Sequence, residues 1–162
     1  MLLWYYRDGL VSKGVDIMKV QDILTSKGSK VITTTPDTSL HEVSKILAQH
    51  RIGAVVVLND EQHPVGIISE RDIVREVANA GANVVSRRVG DVMTTDLIIS
   101  VPEDEISHLS NVMTEKRIRH LPVMNEDELV GMVSIGDIVK AQLDHFEGEA
   151  LTLRQYIMGG YA

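Results

Sequence analysis

Hydrophobic and polar positions along this chain fall into short blocks, and the same order of blocks comes round twice. Val31–Thr35 is a β-rich run that stops at Pro36. Proline suits a strand end because it cannot donate to a ladder. Leu40, Val43, Ile46 and Leu47 then stand three and four residues apart, the stripe of an amphipathic helix. Ser39 and Glu42 in front of it have capping-box spacing. Ala54–Leu58 is an unbroken apolar run, the pattern of a short buried strand. A polar turn leads to a third strand at Val65–Ser69, and a second helix begins at about Arg71. The second pass runs from Leu97–Val101, ending at Pro102, through the stripe Ile106, Leu109 and Met113. It continues with Leu121–Met124, then Leu129–Ser134, then a helix from about Gly136. Each pass predicts β-α-β-β-α.

The two passes are also related letter by letter. Val20 to Leu24 (VQDIL) answers Val89 to Met93 (VGDVM), and Arg51-Ile52 answers Arg117-Ile118. Gly66 to Val74 (GIISERDIV) answers Gly131 to Val139 (GMVSIGDIV). Pro36 recurs 66 residues on as Pro102, and Asp72 recurs 65 residues on as Asp137, so one indel separates the copies. A unit of about 50–60 residues buries a limited share of its surface. Two copies packed sheet to sheet, helices outside, are therefore expected to share one core. The fold class expected is α/β (α+β), two tandem repeats with pseudo-twofold symmetry and a C-terminal helix.

The organisation expected is an N-terminal extension at 1–17, a first repeat at 18–80, a linker at 81–88, a second repeat at 89–143 and a helical tail at 144–162. Gly81 and Asn83 mark the linker as a break. In the tail, Phe146, Ala150, Leu153 and Ile157 keep helical spacing up to the stop signal Gly159-Gly160. Such an apolar stripe packs on a partner. Because the first 17 residues have no counterpart in the second copy, Met18 is a candidate native start. Intact mass of the natively expressed protein decides this, and a mass including Met1–Ile17 sinks it.

Composition narrows the chemistry. The chain has 162 residues, 44% apolar and 24% charged, with no cysteine. Disulfides and cysteine-ligated metals are excluded, and a reducing cytoplasm fits. With a net charge of −7 and a pI near 5.3, nucleic acid is not expected as the main partner, because its binding draws on cationic side chains. No run approaches the roughly 20 apolar residues of a membrane span, and the apolar start is too short for a signal-peptide core. A cytoplasmic protein without a membrane partner is expected. The six histidines lack H-x-x-x-H and H-E-x-x-H spacing, so no metal site is expected. Walker A, G-x-G-x-x-G and G-x-S-x-G patterns are also missing.

The candidate chemistry lies at two matched strand-to-helix junctions, Gly66…Ser69…Asp72 and Gly131…Ser134…Asp137. A glycine allows close backbone approach, and a helix N-terminus favours a phosphate. The serine hydroxyl adds a donor, and the aspartate can accept from a vicinal diol such as ribose. Capping explains one Ser/Asp pair equally well; two at matched places point further. Arg117, Arg119 and His120 precede the second strand of copy two, while Arg71 and Arg75 flank the motif of copy one. Arginines hold phosphate oxygens in bidentate fashion, though basic residues at element ends are commonly just solvated. Copy one has Gly53-Ala54 where copy two has Arg119-His120, so two unequal sites are expected.

The ordered set, twice over, resembles the CBS-domain pair (Bateman module) of stand-alone bacterial type: Val-x-Asp-Ile/Val-Leu/Met-Thr, the strand ending at proline, Arg119 to Val123 (RHLPV) and the Gly-x-x-Ser-x-x-Asp motifs. The resemblance covers about residues 18–143, and the ending Tyr156 to Tyr161 (YIMGGY) is similar to that of stand-alone bacterial and plant organelle members. It implies composite adenosine clefts. One takes Ile67, Ser69, Arg71 and Asp72 with Leu97, Ile98, Ile118, Arg119 and His120 opposite. Its pseudo-twofold mate takes Met132, Ser134 and Asp137 with Val31, Ile32, Ile52, Gly53 and Ala54 opposite. Serine stands where the family often has threonine.

The function this implies is a non-catalytic regulator that binds AMP, ADP, ATP or NAD(H), without a catalytic cofactor. It would work as a homodimer and act on an as yet unidentified regulated protein. A purely structural or dimerisation module with no physiological ligand is the alternative. An enzyme comes last, since no nucleophile or metal centre is visible.

Overall fold

The computed structural model describes residues 17–81, 84 and 86–159. Residues 1–16 of the expected extension, 82, 83 and 85 of the expected linker, and the final 160–162 lie outside the described residues.

The elements in chain order are α1 (Val20–Lys27), β1 (Thr33–Thr34), α2 (Leu40–His50), β2 (Ala54–Leu58), β3 (Pro64–Ser69) and α3 (Glu70–Ala80). After a 3₁₀ turn at Val89–Asp91 come α4 (Ile106–Lys116), β4 (His120–Asn125), β5 (Glu128–Ser134) and α5 (Ile135–Gly159). The architecture is mixed α+β with two tandem repeats. In the first, β1 pairs parallel with β2, and β2 antiparallel with β3. In the second, β4 and β5 are antiparallel, and the counterpart of β1 shrinks to one parallel bridge, Ser100 to Val123. Two backbone bonds hold that bridge, Ser100 N to Pro122 O and Met124 N to Ser100 O, at 2.9 and 2.8 Å.

Local sequence explains the helix limits. Ser39 caps α2, with Glu42 closing the box from its third position. Both α2 and α4 end on left-handed arginines, Arg51 (φ 53°) and Arg117 (φ 55°). The residue that follows each can then turn into the next strand.

The core does not respect the sequence repeat. Buried residues form two clusters, not one shared core. The first joins Leu40, Val43, Leu47, Val55, Val57 and Ile68 to Val84 and Val89, which lie beyond the first repeat. The second joins Ile106, Leu109, Met113, Leu121, Val123, Val133 and Ile138 to Val20 and Ile23 of α1. The leading segment of each copy thus packs on the other copy. Backbone bonds repeat the exchange: Gln21 N donates to Pro102 O and Gly90 N to Pro36 O, at 3.0 and 2.9 Å. Val20 and Ile23 are almost fully buried, and each such side chain is worth about 1.5–3 kcal/mol. The two halves are therefore bound to each other by their own leading segments.

The tail stripe belongs to the same helix as the second Ser/Asp junction. α5 runs unbroken for 25 residues, about 37 Å at 1.5 Å per residue. Val139, Leu143, Phe146 and Ile157 stand exposed along it.

Candidate functional site

The exchange creates a cleft. Thr94 bonds back to Ile67 of β3 through a reciprocal backbone pair, N to O at 2.9 Å each way. This brings Thr94, Asp96, Leu97 and Ile98 against the end of β3. From the other side, the left-handed turn at Arg117 delivers Ile118, Arg119 and His120. Between them lies a cavity of about 570 Å³, within the usual range for a small-molecule site.

All nine residues expected in the first cleft line this cavity: Ile67, Ser69, Arg71, Asp72, Leu97, Ile98, Ile118, Arg119 and His120. Gly53 and Ala54, expected in the second cleft, line it too. Ile67, Leu97, Ile98 and Ile118 are half-buried and supply apolar walls. Ser69 caps α3, and Asp72 completes a capping box with it. One carboxylate oxygen of Asp72 accepts from Ser69 N at 3.0 Å and Ser69 Oγ at 2.6 Å. The other lies 3.5 Å from Arg75. Capping thus engages only one of the two Asp72 oxygens. Glu70 N donates to Gly53 O across the junction at 3.0 Å. Arg71 reaches over the cleft and donates to the carbonyl of Arg117 at 3.3 Å, so the rim is tied across the two repeats.

Basic side chains outnumber carboxylates here: Arg71, Arg75, Lys116, Arg117 and Arg119 against Glu70, Asp72 and Asp96. In a chain of net charge −7, that is a local reversal of sign. His120 is half-buried. Burial pushes its imidazole below the ordinary value; Lys27 and Arg119 push the same way, against Asp137 and Glu70. Sequence reasoning did not assign Glu70, Thr94, Asp96, Lys116 and Pro122 to the cleft. Thr94 and Asp96 follow directly after the VGDVM motif, which was the available signal; only the exchange shows that this segment turns into the cleft.

The second constellation is not gathered in the same way. Ser134 and Asp137 form a matching box, with Asp137 Oδ2 accepting from Ser134 N and Oγ at 2.8 and 2.7 Å. Lys27 Nζ also donates to that oxygen, at 2.6 Å. Burial alone raises the Asp137 carboxyl, but the bonds from Lys27 and Ser134 together hold it below the usual carboxylate range. Met132 is half-buried, opposite Pro122 in the sheet. Ile32 and Ile52 pack on the first-repeat core. Val31 lines a different hollow, of about 600 Å³, by the β2–β3 and β4–β5 turns. Gly53 lines the first cavity, with His120 lying against it.

Among the described residues no group of three or more histidine, aspartate or glutamate side chains is placed to hold a metal ion. None of the described helices is long and apolar enough to cross a membrane.

Comparison with known proteins gives the same outline. The family model for the CBS domain matches twice, at residues 20–79 and 89–144. The mitochondrial CBS domain-containing protein CBSX3 of Arabidopsis thaliana is 36% identical over 156 residues, covering 91% of this chain and 76% of that protein. The crystal structure of the CBS-domain containing protein ATU1752 from Agrobacterium tumefaciens is 39% identical with a TM-score of 0.76, covering 77% of this chain and 99% of that one. The CBS domain pair of protein MJ0100, solved with 5′-methylthioadenosine and S-adenosyl-L-methionine, is 27% identical with a TM-score of 0.70, covering 82% and 98%.

Proposed function

The chain belongs to the CBS-domain family, and from that premise we propose that it is a non-catalytic regulatory module whose first cleft takes a phosphate-bearing adenosine ligand: AMP, ADP, ATP or NAD(H). One observation carries the reading. Apolar walls, a helix N-terminus with Ser69 and Asp72, and an excess of basic side chains converge on one cavity of about 570 Å³. Ile67, Leu97, Ile98 and Ile118 suit a flat base. The Asp72 oxygen not used in capping suits a ribose diol. Arg71 and Arg119 suit phosphate oxygens. The MJ0100 pair, with its two adenosyl compounds, supports the adenosine part. The positive rim favours anionic phosphates over the cationic sulfonium of S-adenosyl-L-methionine.

Ligand binding shifts a conformational equilibrium only by its differential affinity for the two states. The walls of the cleft come from both repeats, so a ligand that prefers one packing of the repeats would shift their equilibrium. The exposed Val74 and Val77 of α3 and Val139, Leu143 and Phe146 of α5 support a homodimer as the unit that signals to a regulated partner. We place that unit in the cytoplasm on the basis of the acidic, cysteine-free composition.

Calorimetry on dialysed protein with AMP, ADP, ATP and NADH tests the proposal. Binding that is lost on Asp72→Ala is expected. Silence with all four ligands favours the alternative, a structural or dimerisation module built on the exposed helix faces.

A further inference from the structure

On the same reading of the first cleft, we propose that His120 makes binding there proton-linked. The phosphate of an adenosine nucleotide draws a proton onto the imidazole, and affinity rises as the pH falls through the neutral range.

The fold places the imidazole for this. His120 is the first residue of β4 and lines the first cavity. Its ring lies against Gly53, whose lack of a Cβ leaves it room. Glu70 Oε2 approaches the same spot, 3.8 Å from where a Cβ on Gly53 would stand. On the sheet His120 is opposite Ser134, whose hydroxyl is bonded to Asp137. Among the described residues neither ring nitrogen is engaged in a hydrogen bond or an ion pair, so the imidazole is available to a bound group.

Four charged side chains act on the ring. Burial lowers its proton affinity most, and Lys27 of α1 and the adjacent Arg119 lower it further. Asp137 of α5 and Glu70 of α3 raise it. With these groups alone the balance lies below the ordinary imidazole value.

A nucleotide phosphate changes that balance. It carries up to about two negative charges near pH 7, and an opposite charge within roughly 4–6 Å favours the charged form of a titratable group. Arg71, Arg75, Lys116 and Arg117 also line the cavity. Arginine and lysine do not ordinarily titrate between pH 5 and 8, whereas histidine does. His120 is the one histidine among the lining residues, so the response to pH falls to it. Linkage is reciprocal: if the phosphate favours the proton, the proton favours the phosphate. Each pKa unit by which the bound imidazole exceeds the free one is worth at most about tenfold in affinity. The second ionisation of the phosphate, with a pKa of about 6, runs the other way, because a monoanion is a poorer ligand for the arginines.

The experiment is calorimetry with AMP at pH 7.5 and 6.5 on the full chain and on His120→Gln. Each titration is run in two buffers of different ionisation enthalpy, and the wild-type His120 imidazole is followed by NMR. The wild type is expected to take up protons on binding and to bind at least about twofold tighter at pH 6.5. In His120→Gln the uptake should vanish, and affinity should fall slightly with pH, following the phosphate alone. The His120 resonance should titrate at higher pH with AMP than without it. An unmoved or lowered His120 titration in AMP-bound wild type overturns the proton link, whether or not His120→Gln folds and binds. Equal pH dependence in the two proteins also overturns it, and both outcomes leave the first-cleft reading standing. No heat from the wild type at either pH overturns both.

Discussion

His120 lies against Gly53 so closely that a Cβ on residue 53 would sit 3.0 Å from its Cε1 and 3.2 Å from its Nε2. The two residues belong to different repeats, at nearly matching places in each. Gly53 occupies the position that Arg119 holds in the second copy, and it is small because its neighbour needs the room. The pseudo-symmetry is broken where the two halves touch.

Gly53→Ala is therefore predicted to move His120 instead of straining the backbone, since Gly53 has no left-handed conformation. A loss of about 1–3 kcal/mol of stability is expected, as for other overpacked sites, with weaker AMP binding. Chemical denaturation and calorimetry check the two effects. A variant as stable as the wild type with unchanged affinity contradicts the contact.

Stability should also depend on His120 through pH. Its folded pKa is lowered by burial, so the unfolded chain binds the proton more readily. The contribution is complete above the unfolded value of about 6.5 and is lost as the pH falls from there through the lower folded value. Urea midpoints at pH 7.5 and 5.5 should converge in His120→Gln relative to the wild type. An unchanged difference between the two pH values contradicts the assignment.

The exchange of leading segments makes a prediction that the linear repeat would not. Ile23 lies in the sequence of the first copy and in the core of the second. Ile23→Ala should cost about 2–5 kcal/mol. Amide exchange should accelerate first in α4, β4 and β5 and only then in α2 and β2. Faster exchange confined to α2 and β2 contradicts the packing.

Much of this arrangement was legible in the sequence. The strands at Ala54–Leu58 and Val65–Ser69, their counterparts, and the Ser39 cap follow from short-range periodicity and capping chemistry. The nine residues of the first cleft were identified from the family resemblance and lie around one cavity. The exchange was not legible, because nothing in VQDIL or VGDVM states which copy its apolar face will cover. That choice is tertiary. The Lys27 pair depends on it, and so does Asp96 in the cleft, which is why neither was found. Sequence symmetry puts Gly53, Ala54, Ile32 and Ile52 opposite Ser134; Gly53 and Ala54 line the first cavity, and Ile32 and Ile52 pack half-buried against the first-repeat core.

Ser69 should show both of its roles when removed. Ser69→Ala takes away the cap of α3 and a donor that orients Asp72. A stability loss of about 1 kcal/mol is expected, with a further drop in AMP affinity at a temperature where the variant remains folded. Thermal unfolding with and without AMP separates the two. Equal ligand-induced shifts in variant and wild type leave Ser69 as a cap alone.

The most direct test of the account is methyl NMR of the full chain titrated with AMP. Signals of Ile67, Leu97, Ile98 and Ile118 are predicted to shift together and to saturate. Shifts confined to Val31, Leu58 and Leu129 around the other hollow, or no shifts at all, would contradict the assignment of the ligand to the first cleft.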